Sequence, residues 1–225
     1  MITILNIETA TKNCSVSLSV DGEVLAIKEI AEESFSHAEK LHVFVEELLS
    51  ENNKTFNDLS AIAVSQGPGS YTGLRIGVSA VKGLCYGLSI PMIALDTLEV
   101  LARQLRITEG VIVSMIDARR MEAFCSVFSA DYISLGSVEA KVIESSSFEE
   151  LFNNKTIHLV GDGAPKCKEV LNDAKFVYHD EIIYPSAKEM VEMSYNKYQN
   201  KDFVDVAYFE PFYLKDFVMP TKKNK

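Results

Sequence analysis

The sequence predicts an α/β protein of two subdomains, each built on a mixed β-sheet. Three observations lead to this prediction. The chain opens with three strands in succession, continues with helices that alternate with short apolar strands, and starts a second strand-rich cycle after Gly110. We place the first subdomain at residues 1–106 and a smaller one at 107–225, whose final segment has room to pack back on the first.

The first three strands form a predicted antiparallel meander. Residues 2–9 form the first strand. In 14–20 the apolar residues Val16, Leu18 and Val20 alternate with serines at 15, 17 and 19, as they do in a half-buried strand. Asp21-Gly22 is a two-residue hairpin signal, so residues 23–30 return as the third strand.

Helices and parallel strands then alternate. Ser36-His37-Ala38-Glu39 is a capping box, and apolar residues at helical spacing follow it, so 37–50 is predicted to be an amphipathic helix. The apolar strand 61–65 leads through a glycine-rich turn into a second helix at 72–88. A strand at 91–95 and a helix at 97–106 complete the first subdomain.

The second subdomain is less regular. Its predicted strands are 111–116, 122–128, 139–144 and 157–160. Its predicted helices lie near 147–153, 164–172 and 186–199.

Composition indicates a soluble cytoplasmic protein. No basic flank or cleavage site marks the N-terminus as a signal peptide, and no apolar run reaches the ~18–20 residues of a membrane span. The four cysteines are far apart in the sequence, which is typical of reduced core thiols rather than of a zinc or disulfide framework. A net charge of −10 argues against a nucleic-acid-binding surface, since the one basic cluster is the tail at 222–225.

The most informative segment is the turn at 67–77, GPGSYTGLRIG. Such a turn can present backbone amides and a helix N-terminus to an anion. A Walker loop would need lysine after Gly73, where Leu74 stands, and a dinucleotide fingerprint would need a small residue in place of Thr72. Neither phosphate loop is present, and a tight strand-to-helix connection is the alternative.

One face of the second helix carries small residues. Within about 120° of the helix wheel lie Gly73, Gly77, Ala80, Gly83 and Gly87. Because each helical glycine costs about 1 kcal/mol relative to alanine, the pattern indicates close approach of another element. That element is either the chain's own sheet or a helix of another subunit.

The turn GPGSYTGLRIG, with Lys82-Gly83-Leu84 after it, resembles the TsaB (YeaZ) family of tRNA threonylcarbamoyladenosine biosynthesis proteins. The resemblance covers 1–122 well and the remainder thinly. It is carried further by the capping box and by the segments at 4–11, 98–102, 116–122 and 212–215, the last with lysine where the family has arginine.

This resemblance implies an actin-like ATPase fold (ASKHA, ribonuclease H-like). It also implies a non-catalytic scaffold or activator that dimerises with the catalytic paralogue TsaD, works with the ATPase TsaE and reaches tRNA through the complex. The family's dimer is built from the first two helices, which leaves open a homodimer of the isolated chain. The partner contacts are therefore expected at Leu41, Thr72, Gly73, Arg75, Ile76, Gly77, Ala80, Gly83 and Gly87.

The nucleotide site of the actin-like fold is expected to be degenerate. Its phosphate hairpin is usually Asp-x-Gly-Thr, whereas this chain has Glu8-Thr9-Ala10-Thr11. ATP and metal are thus expected on partner subunits, with no cofactor on this chain. The residues of the degenerate site would be Glu8, Thr9, Thr11, Gly67, Gly69, Ser70, Asp117 and Arg119.

One polar cluster can be interpreted in two ways. Asp117 and the arginines Arg119 and Arg120 either lock their turn or contact a partner or RNA.

The histidines do not predict a metal site. His37 and His42 are five residues apart, which separates them by about 140° on the helix wheel, and His158 and His179 lie on separate elements.

The competing functions are a metallo-endopeptidase or small-molecule kinase, and a nucleotide-binding regulatory homodimer. The peptidase lacks an HExxH or HxxxH helix, and the kinase lacks the phosphate hairpin.

Overall fold

The computed structural model describes residues 1–32, 37–151 and 156–215. In these ranges the chain forms two five-stranded sheets. The first contains β1 (Thr3–Glu8), β2 (Asn13–Val20), β3 (Glu23–Ala31), β4 (Ala61–Gly67) and β5 (Met92–Asp96). Their spatial order is β3-β2-β1-β4-β5. The first three strands are antiparallel, and β4 and β5 run parallel to β1.

The second sheet repeats this plan. It contains β6 (Val111–Asp117), β7 (Glu122–Ser129), β8 (Glu139–Val142), β9 (Ile157–Val160) and β10 (Phe176–Tyr178). Its order is β10-β9-β6-β7-β8, again an antiparallel three-strand meander extended by two parallel strands. Two such halves in tandem are the actin-like (ASKHA) α/β fold that the resemblance implied.

Helices cover both faces of the first sheet. On one face α1 (His37–Glu51) and α2 (Tyr71–Leu88) bury an apolar cluster that includes Leu41, Leu48 and Val78. The helix α3 (Thr97–Ala102) and then α4 (Met190–Gln199) supply Val100, Met190 and Met193 to a second cluster that includes Ile4 and Ile93 of the sheet. The final segment of the chain therefore returns to the first sheet.

The short helix α3 joins the two sheets. Its Val100 belongs to the cluster between α4 and the first sheet, while Leu98 and Leu101 pack with Ile112 and Phe124 of the second sheet. Asp96 caps the helix by accepting from the amides of Leu98 and Glu99. This double contact fixes the position of each sheet relative to the other.

The structure confirms the predicted strands and changes several helices. The third helix ends at Ala102 instead of 106, and the last begins at Met190 instead of 186. The α-helices predicted near 147–153 and 164–172 are wrong for the described residues, which form short 3₁₀ turns at Glu149–Leu151 and Pro165–Cys167. In the second case the amides of Cys167 and Lys168 bond to the carbonyl oxygens three residues back, which is the 3₁₀ pattern.

Other predictions concern single features. The strand β10 was missed because it is only three residues long. All four cysteines are buried and free. The capping serine Ser36 and the basic tail at 222–225 lie outside the described residues. Across the described ranges no helix has both the length and the apolar character needed to cross a bilayer.

Candidate functional site

The turn between β1 and β2 packs directly on the start of α2. The backbone amide of Ser70 donates to the Ala10 carbonyl oxygen at 2.7 Å, and the Thr9 hydroxyl donates to the Gly73 carbonyl oxygen at 2.8 Å. Ser70 also caps the helix, because its hydroxyl accepts from the Gly73 amide at 3.3 Å. Two amides at the start of α2 are therefore bonded to the chain itself.

Three glycines of the glycine-rich turn make this contact possible. A Cβ atom at Gly69 would lie 2.3 Å from the Ala10 carbonyl oxygen, and one at Gly73 would lie 2.1 Å from that of Thr9. At Gly77 it would lie 2.2 Å from the Thr9 hydroxyl oxygen. The close approach indicated by the sequence is thus, for these glycines, an approach of the chain's own β1–β2 turn.

This geometry corrects part of the expected partner interface. Gly73 and Gly77 are buried against the β1–β2 turn, and Leu41 is fully buried beneath the first sheet. None of the three presents a surface to another subunit, because a helical wheel shows which residues share a face but not what that face contacts.

The remaining expected interface residues do line one side of α2. Thr72, Arg75, Gly83 and Gly87 are exposed, and Ile76 and Ala80 are half-buried. Apart from the adjacent backbone of α2 itself, no heavy atom lies within 4 Å of the Cβ position at Gly83 or Gly87. The sequence prediction missed Tyr86, whose 83% exposure makes it a prominent aromatic residue on this helix. We call Thr72, Ile76, Ala80, Gly83, Tyr86 and Gly87 the open face of α2.

Arg75 is exposed but bound within the chain. Its guanidinium lies 4.1 Å from the ring centre of Tyr71, and its Nε donates to the Tyr213 hydroxyl at 3.2 Å. Tyr213 belongs to a C-terminal strap, residues 204–215, which runs from β5 past the start of α2 to the second sheet. The Phe212 amide donates to the Gln66 carbonyl oxygen at 2.7 Å.

Gly67 lies under this strap. Its φ of +115° is a conformation that side chains disfavour, and a Cβ atom there would lie 2.6 Å from the Phe212 carbonyl oxygen. Its amide donates to the Thr97 hydroxyl at 3.0 Å. Only glycine therefore fits at position 67, because the strap packs directly against its backbone. The two segments in this contact are far apart in the sequence.

Glu8 is the buried carboxyl of the candidate ligand site. It is fully buried at the end of β1, and its Oε1 accepts from the Ala10 amide at 2.5 Å. Burial raises the pKa of Glu8 from 4.5 to about 7, although the Ala10 amide and the Ser65 hydroxyl offset part of the rise. In the described part of the chain neither Oε2 nor that hydroxyl has a well-aligned hydrogen-bond partner.

The second hairpin turn, between β6 and β7, is held by a lysine that the sequence prediction missed. Lys166 forms an ion pair with Asp117 and donates to the Glu122 carbonyl oxygen at 2.6 Å. Asp117 also accepts from the backbone amide of Arg119 at 3.0 Å. The turn is therefore locked through Lys166 and not through an Asp–Arg side-chain pair.

Asp162 completes this second turn. It accepts from the Asp117 amide at 2.8 Å, and burial raises the pKa of Asp162 to about 6. The positive charge of Lys12, in the β1–β2 turn, acts in the opposite direction and lowers the pKa of Asp162.

Several backbone amides at the β1–β2 turn and at the start of α2 are already bonded within the chain. The amides of Ala10 and Asn13 donate to Glu8 and Thr11, and those of Ser70 and Gly73 are bonded as described above. The buried Glu8 carboxyl would moreover repel an anion when ionised. Thr11 is itself buried. Of the expected ligand-site residues, the structure brings Glu8, Thr9, Gly69 and Ser70 together but uses them for packing.

Comparison with known proteins gives the family. The family model for tRNA N6-adenosine threonylcarbamoyltransferase (TsaD) matches residues 29–222. The chain is 30% identical over 224 residues to the tRNA threonylcarbamoyladenosine biosynthesis protein TsaB of Escherichia coli, with 96% of this chain and 95% of that protein covered. It is 29% identical to the Haemophilus influenzae protein of the same name, with the same shares covered.

Solved structures agree with this relationship. YeaZ from Pseudomonas aeruginosa superimposes with a TM-score of 0.82 at 24% identity, covering 95% of this chain and 100% of that one. Component A of Acidaminococcus fermentans (R)-2-hydroxyglutaryl-CoA dehydratase shares the fold more distantly, with a TM-score of 0.50 at 11% identity, 88% of this chain and 99% of that one being covered. The sequence match and the fold agree, and the chain belongs to the TsaB (YeaZ) family.

Proposed function

We propose that this chain is a non-catalytic subunit of the machinery that makes N6-threonylcarbamoyladenosine in tRNA. The observation that carries the proposal is the match along 96% of the chain to a relative named as a TsaB biosynthesis protein. The departure of Glu8-Thr9-Ala10-Thr11 from the usual phosphate hairpin supports a non-catalytic role, because a subunit that transfers the group itself would need to hold its nucleotide-linked donor.

The proposed partner is a TsaD-type catalytic paralogue, and the proposed contact surface is the open face of α2. Gly83 and Gly87 leave space for the backbone of a second helix, and Tyr86 supplies an exposed aromatic group beside them. Ile76 and Ala80 extend the apolar surface along the same side. A second copy of this chain can occupy the same face when no paralogue is present.

ATP and a catalytic metal ion belong, in this proposal, to the partner subunits. The TsaE-type ATPase would act on the assembled complex, and tRNA would bind through the complex in the cytoplasm. A net charge of −10 supports this division, since it disfavours direct phosphate contacts by this chain. Millimolar ATP should leave the melting temperature of the isolated chain unchanged, whereas a rise of several degrees would contradict this part of the proposal.

Reconstitution tests the pathway assignment. The matching TsaD-type and TsaE-type proteins are incubated with tRNA and threonylcarbamoyl-adenylate, with and without this chain, and the modified nucleoside is measured by mass spectrometry. We expect modification to depend on the chain. Equal modification in its absence would refute the proposal and favour the nucleotide-binding homodimer.

A variant of the open face tests the interface. Gly83→Trp adds a large side chain to the side of α2 where the structure leaves open space, so the chain should fold while the partner is excluded. Gly136→Trp is the matched control, because Gly136 is an exposed glycine of the second subdomain that also has no neighbour within 4 Å. Binding of the TsaD-type partner, followed by calorimetry, should be lost only in Gly83→Trp; equal binding by both variants would contradict the interface.

A further inference from the structure

The C-terminal strap is anchored to α2 by a lysine at the edge of the open face. Lys82 Nζ donates to the carbonyl oxygens of Ala207 at 3.1 Å and of Phe209 at 2.9 Å. The Asp205 carboxylate accepts from the backbone amides of Ala207 at 2.8 Å and of Tyr208 at 3.2 Å. These bonds fix the backbone on both sides of Tyr208 and hold this residue beside α2.

Two exposed tyrosines border this edge. Tyr208 is 85% exposed, and Tyr86, one helical turn after Lys82, is 83% exposed. Arg75, Lys82 and Tyr86 fall within about 40° of the helix wheel, and the strap contacts the first two of them. The strap therefore continues the open face and adds a second aromatic group to it, of the kind that is enriched at the centres of protein interfaces.

The same edge is positively charged in a chain whose net charge is −10. The helix α2 contains Arg75 and Lys82 and no acidic residue. Neither cation forms an ion pair in the described part of the chain, because Arg75 contacts tyrosines and Lys82 binds backbone carbonyls. A guanidinium has five N–H donors and an ammonium has three, so both groups retain donors for a further acceptor.

We propose that the partner segment that covers the open face carries an acidic side chain, which binds at the Arg75–Lys82 edge, and that Tyr208 packs against that segment. On the proposed function, which this inference assumes, the segment is a helix of the TsaD-type paralogue. Gly83 and Gly87 leave space for its backbone, and the two cations offer unused donors to its carboxylate. The backbone of Tyr208 is already fixed, so binding does not need to order the strap.

Opposite charges at Ser79 test the acidic contact without altering the strap. Ser79 is exposed on the same side of α2, four residues after Arg75 and three before Lys82. Glutamate and lysine are both good helix formers of similar length, so the two variants differ mainly in charge. In calorimetry with the TsaD-type partner, Ser79→Glu should bind about tenfold or more weakly than Ser79→Lys, because it repels the partner's carboxylate and competes for the two cations.

The matched controls are Ser137→Glu and Ser137→Lys, which alter an exposed serine of the second subdomain. These two variants should bind the partner equally well. Equal affinities of the two Ser79 variants, or tighter binding by Ser79→Glu, would overturn the acidic partner segment while leaving the proposed function intact. A wild-type chain that does not bind the partner would instead refute the proposed function, and this inference with it.

Replacement of the exposed ring tests the contribution of the strap. Tyr208→Ala should weaken binding of the partner by about tenfold, while Tyr208→Phe, which keeps the ring, should bind as the wild type does. Because Tyr208 is so exposed, urea denaturation should show little change in stability for either variant. The control Ile133→Ala removes an apolar side chain that is 64% exposed on the second subdomain and should not affect binding. Unchanged affinity in Tyr208→Ala would overturn the strap contact.

Discussion

Alanine substitutions along α2 should change stability in opposite directions. Gly77 and Gly83 belong to the same helix and the same small-residue pattern. At Gly83 a methyl group enters open space, while at Gly77 it would lie 2.2 Å from the Thr9 hydroxyl oxygen. Comparing Gly83→Ala with Gly77→Ala therefore separates the intrinsic preference of a helix for alanine from the effect of packing.

The expected change in the free energy of unfolding differs between the two variants because their surroundings differ. Gly83→Ala should raise the free energy of unfolding by about 0.8–1.0 kcal/mol, the helix-propensity difference. Gly77→Ala gains the same amount but displaces the Thr9 hydroxyl from its 2.8 Å bond to the Gly73 carbonyl oxygen. Overpacking costs about 1–3 kcal/mol and a lost buried hydrogen bond about 1 kcal/mol more, so a net loss of roughly 1–3 kcal/mol is expected.

Urea denaturation of the isolated chain measures both effects, with Gly87→Ala as a second open-face variant. Equal slopes with denaturant would show that only stability has changed. A Gly77→Ala chain as stable as Gly83→Ala would refute the reasoning, because it would mean that the β1–β2 turn does not press on α2.

Three further outcomes are expected. Thr9→Val should destabilise the chain by about 1 kcal/mol in urea denaturation because it loses the bond to the Gly73 carbonyl, while Thr9→Ser should not; equal loss in both would contradict this role. Because the folded pKa of Glu8 is raised to about 7, Glu8 contributes most stability below its ordinary pKa of 4.5 and loses that contribution as pH rises through 7. Glu8→Gln should thus gain up to about 3 kcal/mol relative to wild type between pH 4.5 and 8, and a pH-independent difference would contradict the buried carboxyl. Arg75→Met should loosen the strap by about 1 kcal/mol, seen as faster amide exchange at 209–215 and not in β6.

Local patterns predicted most of the fold. The alternation in β2 and the Asp21-Gly22 turn located the meander, because an alternating strand and a two-residue hairpin both leave short-range signals. The prediction that β2 is half-buried was wrong, since its serines are buried on the opposite face from its apolar residues. The ends of α3 and α4 were less predictable, since they depend on tertiary contacts. The 3₁₀ turn at Pro165–Cys167 has a helix-like composition but bonds three residues back.

The sequence indicated that the glycine-rich turn is closely packed, but not which residues pack against it. Glycines in the turn at 67–77 indicated close approach, but only the structure shows that Thr9 and Ala10 make it. Lys166 and Tyr213 act across 49 and 138 residues, on Asp117 and Arg75 respectively, and no local pattern records such pairs. The contact between His158 and His179, whose facing ring nitrogens are 3.0 Å apart, escaped prediction for the same reason, because neighbouring parallel strands bring together residues that are distant in the chain.

The central claim is that this chain supports threonylcarbamoylation of tRNA through the open face of α2. Its most direct test is the N6-threonylcarbamoyladenosine content of tRNA in source cells depleted of the chain and supplied with wild-type, Gly83→Trp or Gly136→Trp copies expressed at equal levels. We expect depletion to lower the modified nucleoside, and we expect wild type and Gly136→Trp, but not Gly83→Trp, to restore it. Unchanged nucleoside content after depletion would contradict the function, and full restoration by Gly83→Trp would contradict the interface.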